Sequence, residues 1–387
     1  MKTDKTLFIL TSTLIGISIL FSFSLTTYVV RYYSIYEFSF FIKQAIVGFV
    51  AILLMFSLSY LDSKKWLKII GASLFIVSLF AMIIMKFLPE SLVYAVGGAK
   101  RWIQFSHFSI APVEFFKVGF VFFLAWSFER RLDSSEKPIK EEFRSFTRYI
   151  IAFGVVVYLI AIFQNDIGQV IVLGVTLLTM ALLAGMSLRF FTYSILIVLF
   201  VVLVFIFTSD HRILRVVMWW SSVQDIFLAI FPESISSSLK IKHLPDSFQV
   251  TNSLNAINYG GFFGQGVGEG TFKLGFLSDV HTDFVLTGIA EELGFIGLFI
   301  VVVIYFFILY RIFRIASRSE DRINYLFGVG IGLILGISFI INGFGIVQIT
   351  PIKGIAVPFL SYGGSSLLSN AIAVGLVLMM SKKVKTI

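Results

Sequence analysis

The stretch Phe276-Leu277-Ser278-Asp279-Val280-His281-Thr282-Asp283-Phe284 runs from polar, glycine-rich sequence straight into a long apolar segment. Asp283 stands where an aqueous loop meets that segment. A carboxylate at such a boundary can act as a general base, because partial desolvation raises its pKa toward the working range. The same position suits a helix N-cap, since a short Asp side chain accepts from the first free backbone N–H groups. Spacing leaves both readings open. Glu291 and Glu292, a little over two helical turns further on, must face protein or water rather than hydrocarbon. His281 by itself reads as a hydrogen-bonded residue and not as a ligand.

A second charged pair sits in Ala111-Pro112-Val113-Glu114-Phe115-Phe116-Lys117. At i, i+3, Glu114 and Lys117 share one helix face and partly neutralise each other. They are either a packing ion pair or the wall of a polar cavity. Six glycines follow one another at Gly260, Gly261, Gly264, Gly266, Gly268 and Gly270. A phosphate-cradling glycine loop needs a strand before it and a helix after it, and no strand is credible here. The glycines are expected to let backbone pack closely beside a site.

The elements that must hold these residues are membrane helices. Of 387 residues, 58% are hydrophobic and only 14% charged, against roughly 25% charged in a soluble domain. Forty-five Phe residues suit lipid-facing helices. The absence of Cys excludes disulfides, thiolate metal sites and thiol nucleophiles, and four His leave little for a zinc site. Apolar runs of the ~20 residues needed to span hydrocarbon fall at about 8–30, 38–60, 66–88, 112–128, 149–163, 167–186, 190–208, 284–310, 324–347 and 356–380. The first reads as a span and not as a cleaved leader. An all-α protein with about ten transmembrane helices follows, forming one integral membrane domain over 1–387. Its largest loop, 209–283, lies outside the membrane between spans seven and eight.

Orientation follows from Lys and Arg. With the N-terminus in the cytoplasm, every cytoplasmic segment carries basic residues: Lys5, Lys64 and Lys65, Arg130 through Arg148, Arg189, Arg311 through Arg322, and Lys382 with Lys383. Together they account for more than half of the 31 basic residues. The net charge of +9 is therefore mostly an orientation signal and gives no reason to expect nucleic acid. Both termini are cytoplasmic in this reading. Cations on the other side need a different reason. Arg212 and Arg215, with Lys100, Arg101 and Lys353 as weaker candidates, suit an anionic, lipid-linked substrate, because a guanidinium fork matches phosphate oxygens. Pairing of the arginines with Asp210 is the alternative.

These residues carry a resemblance to the SEDS family (shape, elongation, division and sporulation) of bacterial cell-wall polymerases. The matching segments are Gly97-Gly98-Ala99-Lys100-Arg101-Trp102, Pro112-Val113-Glu114 with Lys117, Asn165-Asp166-Ile167-Gly168, Arg212 with Arg215, and Phe248-Gln249-Val250-Thr251-Asn252. They continue with His281-Thr282-Asp283-Phe284, Glu291-Glu292-Leu293-Gly294, and Pro351 through Gly354 into Val357-Pro358-Phe359-Leu360-Ser361-Tyr362-Gly363-Gly364-Ser365-Ser366. The last segment is the most specific, and the order is the family's across nearly the whole chain. The chain departs from the family pattern in three places: Ser278-Asp279 for Pro-Glu, Val113 for Ser, and Asn165 for Pro.

The resemblance implies a ten-span glycosyltransferase that polymerises lipid II into peptidoglycan on the outer face of the cytoplasmic (inner) membrane. It implies a single-span class B penicillin-binding protein (a transpeptidase) as partner, other division membrane proteins around it, and a divalent cation, Mg or Mn, as cofactor. The Gly98-Ala99-Lys100-Arg101 segment and Lys353 favour the family's cell-division branch, at the septum, whereas Ser369-Asn370 looks more like its elongation branch. Carried over by position, Asp283 is the general base, and Gln249, His281, Ser361, Tyr362 and Ser365 join Glu114, Lys117 and the outer cations around the substrate. Two rival readings remain: a lipid II flippase or other transporter, whose polar site belongs near the midplane, and a scaffold that only activates its transpeptidase.

Overall fold

The computed structural model describes residues 3–94, 99–105, 108–132, 138–207, 210–229, 231–241, 248–351 and 353–383. In chain order the helices are α1 (Lys5–Ser24), α2 (Thr27–Tyr32), α3 (Ser39–Ser59), α4 (Ser63–Ile84) and α5 (Pro112–Arg131). Next come α6 (Ile139–Val157), which runs into a π-helical turn at Tyr158–Phe163, then α7 (Ile167–Leu183) and α8 (Leu188–Phe207). After α9 (Asp210–Leu228), α10 (Glu233–Leu239) and α11 (Phe248–Gly260), the chain closes with α12 (Val285–Ser317), α13 (Arg322–Ile346) and α14 (Gly364–Ser381). A two-residue hairpin pairs Ile103 with Ile110 and Gln104 with Ser109 just before α5.

Among the described residues seven helices are long and apolar enough to cross a membrane, and α7 and α8 are shorter apolar helices. By composition α5 misses because it carries Glu114, Lys117 and Glu129 through Arg131 over 20 residues. With these three the fold has the ten crossings expected. Short Asp caps start several of them: Asp4 accepts from Leu7 N, Asp62 from Lys64 N, Asp166 from Gln169 N and Asp321 from Ile323 N. The buried caps at Asp4 and Asp166 are worth about 1 kcal/mol each. Burial separates the layers: α14 is 72% buried and α3 only 22%, so α14 lies at the centre and α3 presents most of its surface to lipid.

The last crossing differs from expectation. Helix begins only at Gly364, because 353–363 is kept out of helix by Pro358, a left-handed Phe359 (φ 67°) in a turn, and side-chain hydrogen bonds described below. Span five starts earlier than expected, at Ile139.

The 33 residues of α12 would measure about 50 Å as one straight helix, too long for ~30 Å of hydrocarbon. Gly294 (φ 68°, ψ −171°) breaks it. The break removes intrahelical partners from backbone groups at 291, 292, 295 and 296, and the glycine-rich loop replaces them. Gln265 N donates to Glu291 O and Gly266 N to Glu292 O, both at 3.0 Å; Phe295 N donates to Gly261 O at 2.9 Å and Ile296 N to Phe262 O at 3.2 Å. Such close approach leaves no room for a side chain where the loop meets the break. A Cβ on Gly264 (φ 81°) would lie 2.2 Å from Glu292 O.

The ends of the bundle differ. At one end Asp4 bonds Ser381 and Arg311, Lys383 pairs with Asp62, Arg322 donates to the carbonyls of Leu132 and Ala184, and Glu142 accepts from the Ser187 amide and hydroxyl. The opposite end gathers Arg101, Glu114, Asp166 and Asp283.

Gly264→Ala should lower stability by roughly 2–4 kcal/mol, the sum of left-handed strain and overpacking against a carbonyl. Gly16→Ala, where a Cβ meets nothing within 4 Å, should be near neutral. Thermal melts of the detergent-purified proteins check both.

Candidate functional site

Asp283 does not cap α12. Phe284 occupies the N-cap position and makes no side-chain cap, which leaves the Asp283 carboxyl free of the bland alternative. The residue is fixed through its backbone. Its N–H donates to Asp279 O at 3.0 Å, and its carbonyl accepts from Asn342 Nδ2 of α13 at 2.7 Å. The same Asn342 nitrogen donates to Ile355 O at 2.8 Å, so one buried amide joins the Asp283 turn to the 353–363 segment. Ser361 adds a second link, accepting from Val357 N at 2.8 Å and donating to Thr282 O at 2.6 Å. Tyr362 N donates to His281 O at 2.8 Å, and the two rings pack with Phe40. Gly354 (φ 61°) faces the carboxyl; a Cβ there would sit 3.1 Å from Asp283 Oδ2.

Beside this turn lies a chain of charges. Arg101 Nε is 3.1 Å from Asp166 Oδ2, and Arg101 also donates to Asn165 O. Lys117 Nζ is 2.9 Å from Glu114 Oε2, and Gln169 Nε2 donates to Glu114 Oε1 at 3.2 Å. Asp166 feels the charges of Arg101, Glu114 and Lys117, and Asp283 feels those of Arg101 and Asp166. Glu114, Lys117 and Asp283 thus belong to one polar region at one end of the bundle, built from the hairpin loop, α5, the start of α7 and the start of α12. The arrangement offers a proton acceptor, fixed cations and amide groups beside apolar walls.

The description Cell cycle protein, the FtsW/RodA/SpoVE family, matches residues 5–386. The chain belongs to that family. A Helicobacter pylori (strain 26695) relative, a probable peptidoglycan glycosyltransferase FtsW, is 45% identical over 387 residues, covering all of both chains. The corresponding Geobacter sp. (strain M18) protein is 31% identical over 350 residues, 89% of this chain and 88% of its own. Two solved structures share the fold. One, described as structural coordination of polymerization and crosslinking by a peptidoglycan synthase complex, gives a TM-score of 0.73 at 20% identity over 98% of both chains. The rod shape determining protein RodA of Thermus thermophilus gives 0.65 at 19% identity, over 99% of this chain and 98% of its own.

Within this family member the other expected site residues fall into four groups. Gln249 of α11 donates to Ser278 Oγ and Asp279 Oδ2 and so touches the turn that carries Asp283. Ser361 and Ser365 spend their hydroxyls on backbone: Ser365 accepts from Ala111 N, tying α14 to the start of α5. Lys100 pairs at 3.6 Å with exposed Glu90, away from the charge chain, and Lys353 flanks Gly354. Arg212 and Arg215 lie three apart on α9, but their side chains are outside the described residues. That helix is tied to the site end by Trp219, whose Nε1 donates to Gln348 O at 2.8 Å. Asp166, Gln169 and Asn342 were not singled out as site residues by their sequence context. For Asn342 the signal was available, a polar amide inside an apolar span.

Asn165 also acquires meaning. Its φ of 54° is one that Asn tolerates and that proline, fixed near −65°, cannot adopt. The departure from the family's Pro is therefore matched by the backbone of this chain.

Burial pushes the Asp283 carboxyl up to about 6; Asp279 adds to the rise, Arg101 opposes it, and Asp166 adds further. Burial also raises Asp166 despite its ion pair with Arg101, and burial lowers His281. Between about pH 4 and pH 6 folded Asp283 keeps a proton that the unfolded chain has released. Its contribution to stability therefore falls as pH rises through that window and stays low above it, by at most about 3 kcal/mol, less where water reaches the group. Asp283→Asn cannot ionise. It should melt higher than wild type at pH 7.5 and equal to it near pH 4, measured by thermal unfolding in detergent.

Proposed function

We propose that this chain is the peptidoglycan glycosyltransferase of septal wall synthesis, polymerising lipid II at the outer face of the cytoplasmic membrane. The observation that carries the reading is Asp283: a carboxyl excluded from capping, raised by burial, and lying within the field of Arg101 at one end of a ten-span bundle. Relatives named FtsW support the division role over the elongation role. The basic segments 64–68, 130–148 and 311–322 orient the opposite end, with both termini, toward the cytoplasm, which puts Asp283 outside.

The reaction needs one base. Asp283 takes the proton of the acceptor sugar's C4 hydroxyl as that oxygen attacks the donor's anomeric carbon; the bond to the undecaprenyl pyrophosphate breaks with its electrons on the leaving oxygen. The developing charge calls for cations. Arg212 and Arg215 are assigned to the pyrophosphate, with Lys100, Arg101 and Lys353 as weaker candidates, of which Arg101 is already engaged by Asp166. Among the described residues no three His, Cys, Asp or Glu side chains converge as a metal cage. A divalent cation would therefore be held by one or two carboxylates together with substrate phosphate oxygens, as Mg2+ commonly is, where it would supply charge to the leaving group. A class B penicillin-binding protein and other division proteins are the partners of this reading. The flippase alternative asks for a polar site near the midplane, whereas the charge chain gathers at one end.

Lipid II polymerisation by the purified protein with its transpeptidase partner is the test. Wild type should gain activity as pH rises through about 6, and folded Asp283→Asn should lose at least a hundredfold. Near-normal polymerisation by Asp283→Asn would end the general-base assignment, and transport without polymer would favour the flippase.

For the leaving group, losing one charge-assisted contact costs about 1.5–3 kcal/mol. Arg215→Ala should accordingly be ten- to hundredfold slower, with Arg215→Lys between it and wild type because Lys keeps charge but not the fork. Rates against lipid II concentration decide this; wild-type behaviour of both Arg212→Ala and Arg215→Ala would move the phosphate site elsewhere.

A further inference from the structure

Lys273 was an unremarked residue of the glycine-rich loop, yet its side chain is 2% exposed. Its Nζ lies 2.7 Å from Glu292 Oε1, 2.9 Å from Ser24 Oγ and 2.6 Å from Gly268 O, so all three ammonium protons are used. Ser24, the last residue of α1, also donates to Glu292 Oε1. The neighbouring Glu291 accepts from the backbone N–H groups of Thr271 and Phe272. Two glutamates on the short outer piece of α12 therefore hold the segment 268–273 from both its backbone and its one cation.

The position of this contact in the chain gives it a consequence. Lys273 and Glu292 are 19 residues apart, and Asp283 stands ten residues after the first and nine before the second. Inside the closed segment, Leu277, Val280 and Phe284 are each 1% exposed and seat the turn against the core. The Asp283 carboxyl faces Asp279 of its own turn, Arg101 and Asp166, with the Lys353–Gly354 backbone alongside. None of these belongs to the contact at Lys273.

A buried ion pair is a poor way to gain stability. Replacing one by well-packed apolar residues is often neutral or stabilising. A pair retained at such a place is better explained by what it positions.

We propose that Lys273, Glu292 and Ser24 form a clasp that closes the segment carrying Asp283 and sets the place and dryness of its carboxyl. These are positioning residues, not catalytic ones. The proposal rests on Asp283 acting as the base. If the clasp opens, the segment 274–291 keeps its hydrogen bonds to Asn342, Ser361, Tyr362, Gln249 and Asn252, but its two ends are no longer joined, so the turn loosens and water reaches the carboxyl.

The experiment compares wild type, Ser24→Ala and the double variant Lys273→Met/Glu292→Leu, each purified with the transpeptidase partner. Readouts are polymerisation rate against lipid II concentration, the acid limb of the pH–rate profile, thermal midpoint, and amide hydrogen exchange. The double variant is expected to melt at or above the wild-type temperature. Its KM should stay within about twofold, its kcat fall tenfold or more, and its acid limb move to lower pH as the carboxyl becomes wetter. Ser24→Ala, which removes a single hydroxyl and spares the ion pair, should show the same direction, with faster exchange confined to 277–284 and none gained in α13. A folded double variant with wild-type kcat and an unshifted limb would overturn the proposal. So would unchanged exchange over 277–284 in Ser24→Ala, should the double variant not fold. Activity in Asp283→Asn would instead remove the base assignment itself, a failure that these readouts distinguish.

Discussion

A backbone group left without a hydrogen bond in an apolar environment costs several kcal/mol, and a bundle of membrane helices has no water with which to repair it. The break at Gly294 creates such groups on α12, and the rest of the site end is arranged around their repair. The glycine-rich loop supplies two donors and two acceptors to the broken turn. It can come that close only because Gly260 and Gly264 have no side chains: a Cβ on Gly260 would lie 2.1 Å from Ala290 O. Once docked, the loop delivers Lys273 to Glu292 and the backbone of 271–272 to Glu291. The break also corrects the length of α12, since 295–317 measures about 34 Å and makes one crossing. One glycine thus separates a membrane-spanning piece from a short outer piece that belongs to the site.

The ten crossings were legible in the sequence because their signal is physical length. About 20 apolar residues are required whatever the packing, and polar connections must fall between them. Residue pairs were legible only when they lay on one helix, as Glu114 and Lys117 do. Contacts between distant segments were not. Asp283 could be narrowed to a base or a cap, and the placement of Phe284 at the N-cap removes the cap. Arg101 read as a free outer cation because nothing in its neighbourhood names Asp166, 65 residues later, as its partner. Lys273 gave no signal at all, since a lone Lys among glycines looks like a solvated loop residue. The glycines themselves were read correctly as a close-packing device, although what they pack against, the carbonyls of a broken helix, depends on a φ that only Gly294 makes available.

Where the sequence and the family pattern differ, the fold absorbs the change locally. At Asn165 the left-handed backbone gives the carbonyl that Arg101 contacts, and the next residue, Asp166, both caps α7 and pairs with the same guanidinium. A proline there would need a different turn, and that turn would have to re-aim Asp166. The substitution therefore bears on charge placement as much as on loop shape.

Unmet buried polar atoms occur away from the site too, as at Ser63 beside Asp62, but among the described residues more of them lie at the site end. At the closed end, Asp4, Asp62, Glu142 and Arg322 are each paired, capped or both. At the site end, among the described residues, both polar atoms of buried Gln164, Oε1 of Gln169, Oδ1 of Asn342 and Nδ1 of His281 have no protein partner. Each such atom costs about 1–3 kcal/mol if nothing meets it. Those at the site end are tolerable where water or another polar group completes them. Gln164 stands at the end of the π-helical turn, a distortion found frequently at functional sites, and directly before Asn165 and Asp166. A sugar carries hydroxyl and amide groups of the kind these atoms lack.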